Sequence, residues 1–230
     1  MHWPQITWIV LAALSLGVVL AKNGQPRISR HSVFSTLIEI AIFGTLLWYG
    51  GFFGTAHAQP LPAGASKYRQ DLVRAAHSQW GLDAPVAALA AQVHQESGWN
   101  PLAVSAVGAK GMAQFMPATT RWWCDANRLS ASECQPTNPT WALRSLVGYD
   151  KWLWDRAPSR FDAHDRLWVA LRSYNGGLGN WQAEARLASG NTRAAIDAAC
   201  GRARRHVNHC TENLGYPARH MVAMGRVARR

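Results

Sequence analysis

Residues 84–105 read APVAALAAQV and then HQESGWNPLAVS. Val86, Leu89, Ala90 and Val93 recur at intervals of three and four, the spacing of one apolar face of a helix. The pattern predicts a helix over 84–97, with Gly98 as the left-handed residue that closes it. Glu96 falls next on that face. A carboxylate there meets two opposing effects, partial burial and the negative end of the helix dipole. Both disfavour ionisation, so an elevated pKa is expected. A carboxylic acid that keeps its proton near neutral pH can pass it to a leaving oxygen. A glutamate near a helix end can equally be an ordinary surface residue, and this helix alone leaves both readings open.

The next residues narrow the choice. From Glu96 the chain runs ESGWNPLAVSAVGAKGMAQFMPATT, and SYNGG appears at 173–177. This resembles the soluble lytic transglycosylase family of lysozyme-like domains. Its pattern is ES-x-x-x-P-x-A-x-S-x-x-G-A-x-G-L-M-Q-x-x-P-x-T, joined downstream by A-Y-N-A-G. Glu96, Ser97, Pro101, Ala103, Ser105, Gly108, Ala109, Gly111, Gln114, Pro117 and Thr119 fall in step. Two departures stand out: Met112-Ala113 where the family has Leu-Met, and Ser173 and Gly176 where it has Ala.

The resemblance implies that Glu96 is the single acid and base. It would protonate the oxygen between N-acetylmuramic acid and N-acetylglucosamine. It would then take the proton of the muramyl 6-hydroxyl as a 1,6-anhydro ring closes. Ser105 and Gln114 are implied as substrate contacts, with Tyr174 and Asn175 lining the cleft; for Asn175 a bracing role fits nearly as well. Tyr216, in the segment ENLGYPARHM, is implied as a further cleft residue. No cofactor and no metal are implied. Two-carboxylate glycosidases are the commoner design, and Asp83, Asp125, Glu133 or Asp162 would supply a second acid if folded into the cleft. That leaves a water-using muramidase as an alternative, and a cationic wall-binding protein without turnover as another.

Helical periodicity dominates beyond residue 66, with helices expected near 66–80, 84–97, 115–127, 140–156, 162–174, 180–188, 192–200 and 217–228. RAPSRFDAHD (156–165) reads as a loop, and no run alternates like a strand. The expected fold is mainly α, a lysozyme-like helical domain over 67–230, joined by a linker at 59–66 to residues 1–58. Two apolar stretches, Ile6–Ala21 and Val33–Gly54, occupy that first part, the second interrupted by Glu39. About 20 apolar residues cross a bilayer, and Lys22, Arg27 and Arg30 lie between the stretches. Basic loops stay inside, so a membrane hairpin would export the chain beyond residue 58. A signal peptide ending at Ala56-x-Ala58 also fits and exports the same portion. For Glu39, a position near the membrane surface is favoured over an intramembrane functional acid.

The chain carries a net charge of +11, which favours polyanionic partners. With export, peptidoglycan glycan strands and the membrane are the expected partners, and nucleic acid is not. Four cysteines at 124, 134, 200 and 210 suggest disulfides in an exported domain. Three pairings are possible, and the equal spacings favour Cys124–Cys134 and Cys200–Cys210. Zinc held by Cys200, His206, His209 and Cys210 is the lesser alternative. Of the twelve Trp, Trp99, Trp122, Trp123 and Trp181 lie near the motifs as candidates for stacking on sugar, whereas Trp152 and Trp168 fit apolar helix stripes.

Overall fold

The computed structural model describes residues 63–227, with side-chain environments as far as Met221, and isolated positions between 13 and 43. The chain divides into two units, Met1–Pro60 and Leu61–Arg230. In the first unit the described residues, among them Leu14, Val18, Ile38 and Phe43, are helical. No helix among the described residues is long and apolar enough to cross a membrane. Lys22, Arg27, Arg30, Glu39, Ala56 and Ala58 lie outside the described residues.

The second unit is helical as its periodicity requires. It contains α1 (Ala63–Trp80), α2 (Val86–Ser97), α3 (Pro117–Ala126), α4 (Pro139–Asp155), α5 (Ala163–Gly176), α6 (Leu178–Leu187), α7 (Arg193–Asp197) and α8 (Cys210–Val227). A 3₁₀ turn, Val207–His209, leads into α8. Among the described residues β structure is confined to the isolated bridges Val104–Lys110 and Lys110–Phe115. Local chemistry explains the boundaries. Asn138 caps α4 by accepting from the Trp141 N–H at 3.2 Å, with Pro139 next in line. Asp162 caps α5 through the Asp165 N–H at 2.8 Å. These caps satisfy orphan donors of the first turn.

Two expectations shift at the ends. The first helix starts at Ala63, inside the segment that reads as linker. The last begins at Cys210 and runs through Pro217. Proline lacks the N–H that would bond four residues back, which normally ends a helix, but the Cys200–Cys210 disulfide and buried Asn213 anchor the turns ahead of it.

The main core joins α1, α2 and α4 through Leu72, Ala76, Leu89, Val93, Leu143, Leu146 and Val147, with Met112 and Phe115 inserted from the loop after α2. A second cluster gathers Phe161, Val169, Trp181 and Ile196, and a third sets Leu167 and Leu171 of α5 against Tyr216 of α8. Both disulfides take the pairing that equal spacing favours, Cys124–Cys134 and Cys200–Cys210, each with Cα atoms 5.9 Å apart. The second pair removes the thiolates from the zinc alternative.

Polar atoms also hold the helices together. Arg172 on α5 is fully buried and forms ion pairs with Glu184 of α6 and, at 2.6 Å, with Asp197 of α7. Its Nε donates to Asn213 of α8 at 2.9 Å, and Arg205 donates to the same Glu184 at 3.0 Å. One guanidinium thus links four helices. Removing one member of a buried ion pair strands its partner charge in a poor solvent, at a cost of roughly 3–5 kcal/mol. Arg172→Met is therefore expected to lose stability of that order in urea unfolding monitored by tryptophan fluorescence. A loss below about 1 kcal/mol would mean the network is not structural.

Candidate active site

Glu96 stands one residue from the end of α2. The buried face of that helix consists of Ala88, Leu89, Gln92 and Val93, slightly rotated from the apolar stripe because a glutamine belongs to it. Gly98 ends the helix at φ 59°, its N–H bonded to the His94 carbonyl. Trp99 comes next at φ 69° with its ring buried, so the chain turns sharply away beneath Glu96.

The loop from Gly98 to Met116 is braced from inside. Ser105 Oγ accepts from the Ala109 N–H at 3.0 Å. Gln114, itself at φ 47°, donates from Nε2 to the carbonyls of Gly111 at 2.9 Å and Ala103 at 3.3 Å. Gly111 has φ 73°, and a Cβ there would lie 1.8 Å from the Pro136 carbonyl oxygen, so only glycine fits. Ser105 keeps its hydroxyl proton and Gln114 its Oε1 for another partner.

Two helices close over Glu96. Tyr216 of α8 donates its hydroxyl to Glu96 Oε1. Tyr174 of α5 donates to the Ala113 carbonyl at 2.6 Å, tying α5 to the loop. Asn175 turns toward α8 instead, its Oδ1 accepting from Asn213 at 3.0 Å. The structure therefore joins Glu96 directly to Tyr216, and Tyr174 senses the charge of Glu96. Ser105, Gln114 and Asn175 shape the surrounding frame.

Electrostatics match this placement. Burial pushes the Glu96 carboxyl up to about 7; the Tyr216 hydrogen bond opposes the rise and the charge of Glu212 adds to it. Burial also pushes both Tyr174 and Tyr216 well above the ordinary phenol value. Behind them lies a group that sequence reasoning did not single out. Asp150 of α4 is fully buried, and neither its oxygens nor the amide of adjacent Gln92 form a hydrogen bond of ordinary geometry. Burial raises its pKa strongly, Gln92 lowers it, and the charge of Glu96 raises it further. The signal was present: Asp150 interrupts the stripe of Leu143, Leu146, Val147 and Leu153, as Glu96 interrupts its own.

The acids considered as second carboxylates sit elsewhere. Asp83, Asp125, Glu133 and Asp162 are exposed; Asp162 is occupied as a cap, and Glu133 is bonded to Ser130. Glu212 is the acid whose charge raises Glu96, and Asp150 is an acid that the charge of Glu96 raises in turn. Of the four Trp proposed for stacking, Trp99, Trp123 and Trp181 are buried, because their rings fill the core; Trp122 remains 40% exposed. Trp122 packs on Tyr149 at 5.8 Å, and Tyr149 on Tyr174 at 5.4 Å, giving an aromatic path to the site. Trp152 packs against the main core as its stripe suggests, stacked with Tyr149, while Trp168 is half-buried under the Arg193 guanidinium. A cavity of about 810 Å³ lies away from Glu96, lined by Trp141, Arg144 and Trp152 among others.

A helical domain with one half-buried acid at a helix end, facing a braced loop, has the form of the lysozyme-like enzymes. The chain belongs to the Transglycosylase SLT domain family, which it matches over residues 71–196. A membrane-bound lytic murein transglycosylase F of Maricaulis maris is 37% identical over 100 residues, 44% of this chain and 20% of the relative. Its namesake in Aliivibrio fischeri is 36% identical over 99 residues, 43% and 18% of the two chains. The matched segment thus spans about a fifth of these curated relatives. The crystal structure of the 70 kDa soluble lytic transglycosylase of Escherichia coli superposes with a TM-score of 0.53 at 20% identity, covering 68% of this chain and 23% of that one. An inactive mutant of lytic transglycosylase Slt from Pseudomonas aeruginosa gives 0.54 at 18% identity, covering 82% and 29%.

The raised pKa has a consequence for folding. Between the ordinary value of 4.5 and about 7 the folded chain holds a proton that the unfolded chain releases. This contribution to stability is complete below the ordinary value and is lost as pH rises through about 7. Glu96→Gln carries no such dependence. Relative to wild type, its unfolding free energy is expected to rise by about 2–3 kcal/mol between pH 4 and 8. A difference that stays flat with pH would show Glu96 to be ordinary.

Proposed function

We propose that this chain is a lytic transglycosylase that cleaves the bond between N-acetylmuramic acid and N-acetylglucosamine in peptidoglycan glycan strands. The observation that carries the reading is a Glu96 carboxyl bonded by Tyr216 whose pKa burial raises to about 7, so that it holds its proton well above the ordinary carboxylate range. Protonated Glu96 gives its proton to the glycosidic oxygen as that bond breaks. The resulting carboxylate accepts the proton of the muramyl 6-hydroxyl as its oxygen bonds to C1, so Glu96 regains its starting form and no water is consumed. The substrate's N-acetyl group assists at C1, in keeping with the exceptions to two-carboxylate hydrolysis. Tyr216 orients Glu96, Tyr174 forms the adjoining wall, and Ser105 and Gln114 contact the sugars with the atoms the loop leaves over. Asn175 lines the cleft while braced by Asn213.

Residues 1–58 anchor the protein as a membrane hairpin, 59–66 link it, and 67–230 act on the wall from the extracytoplasmic face of the inner membrane. The two apolar stretches, the basic residues between them and the membrane-bound relatives support this placement. Release after cleavage near Ala58 is the alternative.

Glu212 gives the hydrolytic muramidase its support, as an exposed acid whose charge reaches Glu96. Product analysis separates the two. Digestion of purified peptidoglycan is expected to yield 1,6-anhydromuramyl ends, and reducing ends would overturn the assignment in favour of hydrolysis. Glu96→Gln should lower turnover roughly 10²–10⁴-fold, the usual worth of a positioned acid or base.

In wild type, kcat/KM should fall roughly tenfold per pH unit above about 7, where Glu96 loses its proton. Tyr216→Phe removes the bond that lowers the Glu96 pKa, so this alkaline limb should move to higher pH. Movement to lower pH would contradict the role given to Tyr216.

The full chain is expected to sediment with membranes and to resist carbonate extraction. Its appearance in the soluble fraction would leave only the cleaved form.

A further inference from the structure

The family match stops at residue 196, yet the loop over residues 201–209, clasped by Cys200–Cys210, lies against its motif residues. The contact is intimate. Gly176 stands where the family motif has Ala, and a Cβ there would lie 2.3 Å from Arg205 Nη1 and 2.4 Å from Asn213 Nδ2. Arg205 donates to the Gly176 carbonyl at 3.3 Å while its Nε is held by Glu184. The loop has taken the space of the missing methyl, and the disulfide fixes it there.

Between this loop and the SYNGG turn lies a cavity of about 450 Å³, lined by Asn175, Asn180, Arg204, His206, His209 and Glu212 among others. This is within the ~300–1,000 Å³ range of small-ligand sites. Its walls are polar. Arg205 is already neutralised by Glu184, so the exposed charges are the Arg204 guanidinium and the Glu212 carboxylate. Arg204 makes no hydrogen bond or ion pair with any described residue, and neither does the ring of His209 apart from its edge contact with His206 at 6.4 Å. Asn180 uses its Nδ2 on the Gly176 carbonyl and keeps its Oδ1; Asn175 uses its Oδ1 on Asn213 and keeps its Nδ2. The cavity thus offers one cation, one anion, an amide donor and an amide acceptor, with no aromatic platform for a sugar face. Those groups suit a short peptide that carries both charged groups and backbone amides.

We propose that the disulfide-clasped loop and the SYNGG turn form a subsite for the peptide stem of the glycan strand. Arg204 and the ring of His209 take a stem carboxylate, Glu212 faces a stem ammonium, and Asn175 and Asn180 bond its amides. The inference rests on the peptidoglycan reading above. Glu212 lines the cavity and its charge reaches Glu96, which places the stem on the side of the acid.

Binding to the full chain carrying Glu96→Gln tests it without turnover. Isothermal titration would compare a muramyl disaccharide bearing its peptide stem with the same disaccharide lacking it, and inorganic phosphate as a plain anion. The stem-bearing sugar is expected to bind at least tenfold more tightly. Arg204→Ala and, separately, His209→Ala in the same background should bring that ratio toward one. Both side chains are exposed, so thermal unfolding should stay at the parent value. A ratio near one before either substitution, a ratio that neither substitution changes, or phosphate displacing the stem-bearing sugar at equal affinity would overturn the subsite. A preserved ratio in a protein whose wild-type form releases no anhydro product would sink the catalytic reading and leave the subsite standing.

Discussion

The structure depends on keeping one carboxyl out of water at the wrong end of a helix. Glu96 lies where the α2 dipole, the apolar surroundings and the charge of Glu212 all disfavour its charge. The phenol of Tyr216 gives it the hydrogen bond that makes this tolerable. An uncompensated buried carboxylate would relax by turning outward or by unfolding the helix end. The fold prevents both. The chain reverses through Gly98 and a buried Trp99, and α8 closes from the other side.

Holding α8 in place is the work of polar atoms as much as of the core. Arg172 crosses from α5 to α6, α7 and α8, and Asn213 passes that connection on to Asn175 and the backbone of α5. The helix that presents Tyr216 to Glu96 is therefore fastened to the helix that presents Tyr174. The Cys200–Cys210 bridge ties its first residue back across the loop over residues 201–209. Such shared anchoring keeps hydrogen-bonded groups in register to within the small tolerances that the proposed proton transfer would need.

Much of this was legible from residues alone, for physical reasons that differ by element. Glu96 announced itself because a charge in an apolar stripe contradicts its neighbours, and Gly98 because a helix ending needs a left-handed residue. The cysteine pairing came from the equal spacings among the four residues. Tyr216 came only through resemblance, since a tyrosine 120 residues from its partner carries no local signal. Asp150 was readable by the same stripe argument as Glu96 but sits in a helix without a motif to draw attention to it. The early start of α8 was hidden by Pro217, whose local meaning is a helix boundary. The Trp assignments erred toward sugar stacking, because the rings near the motif fill the core beneath the loop and leave Trp122 to the surface. Gly176 stood out only as a departure from the motif; the space it leaves is occupied by Arg205 and Asn213, a tertiary fact that no local pattern encodes.

The central claim concerns the protonation of a single side chain, so the most direct measurement observes that side chain itself. Carbon NMR of the glutamate carboxyls, with Glu96 assigned by its absence in Glu96→Gln, tracks its titration in the folded protein. The account predicts a midpoint near 7. A Glu96 resonance titrating at the ordinary carboxylate value would mean that the residue is solvated and charged at neutral pH, and the proposed proton donor would not exist.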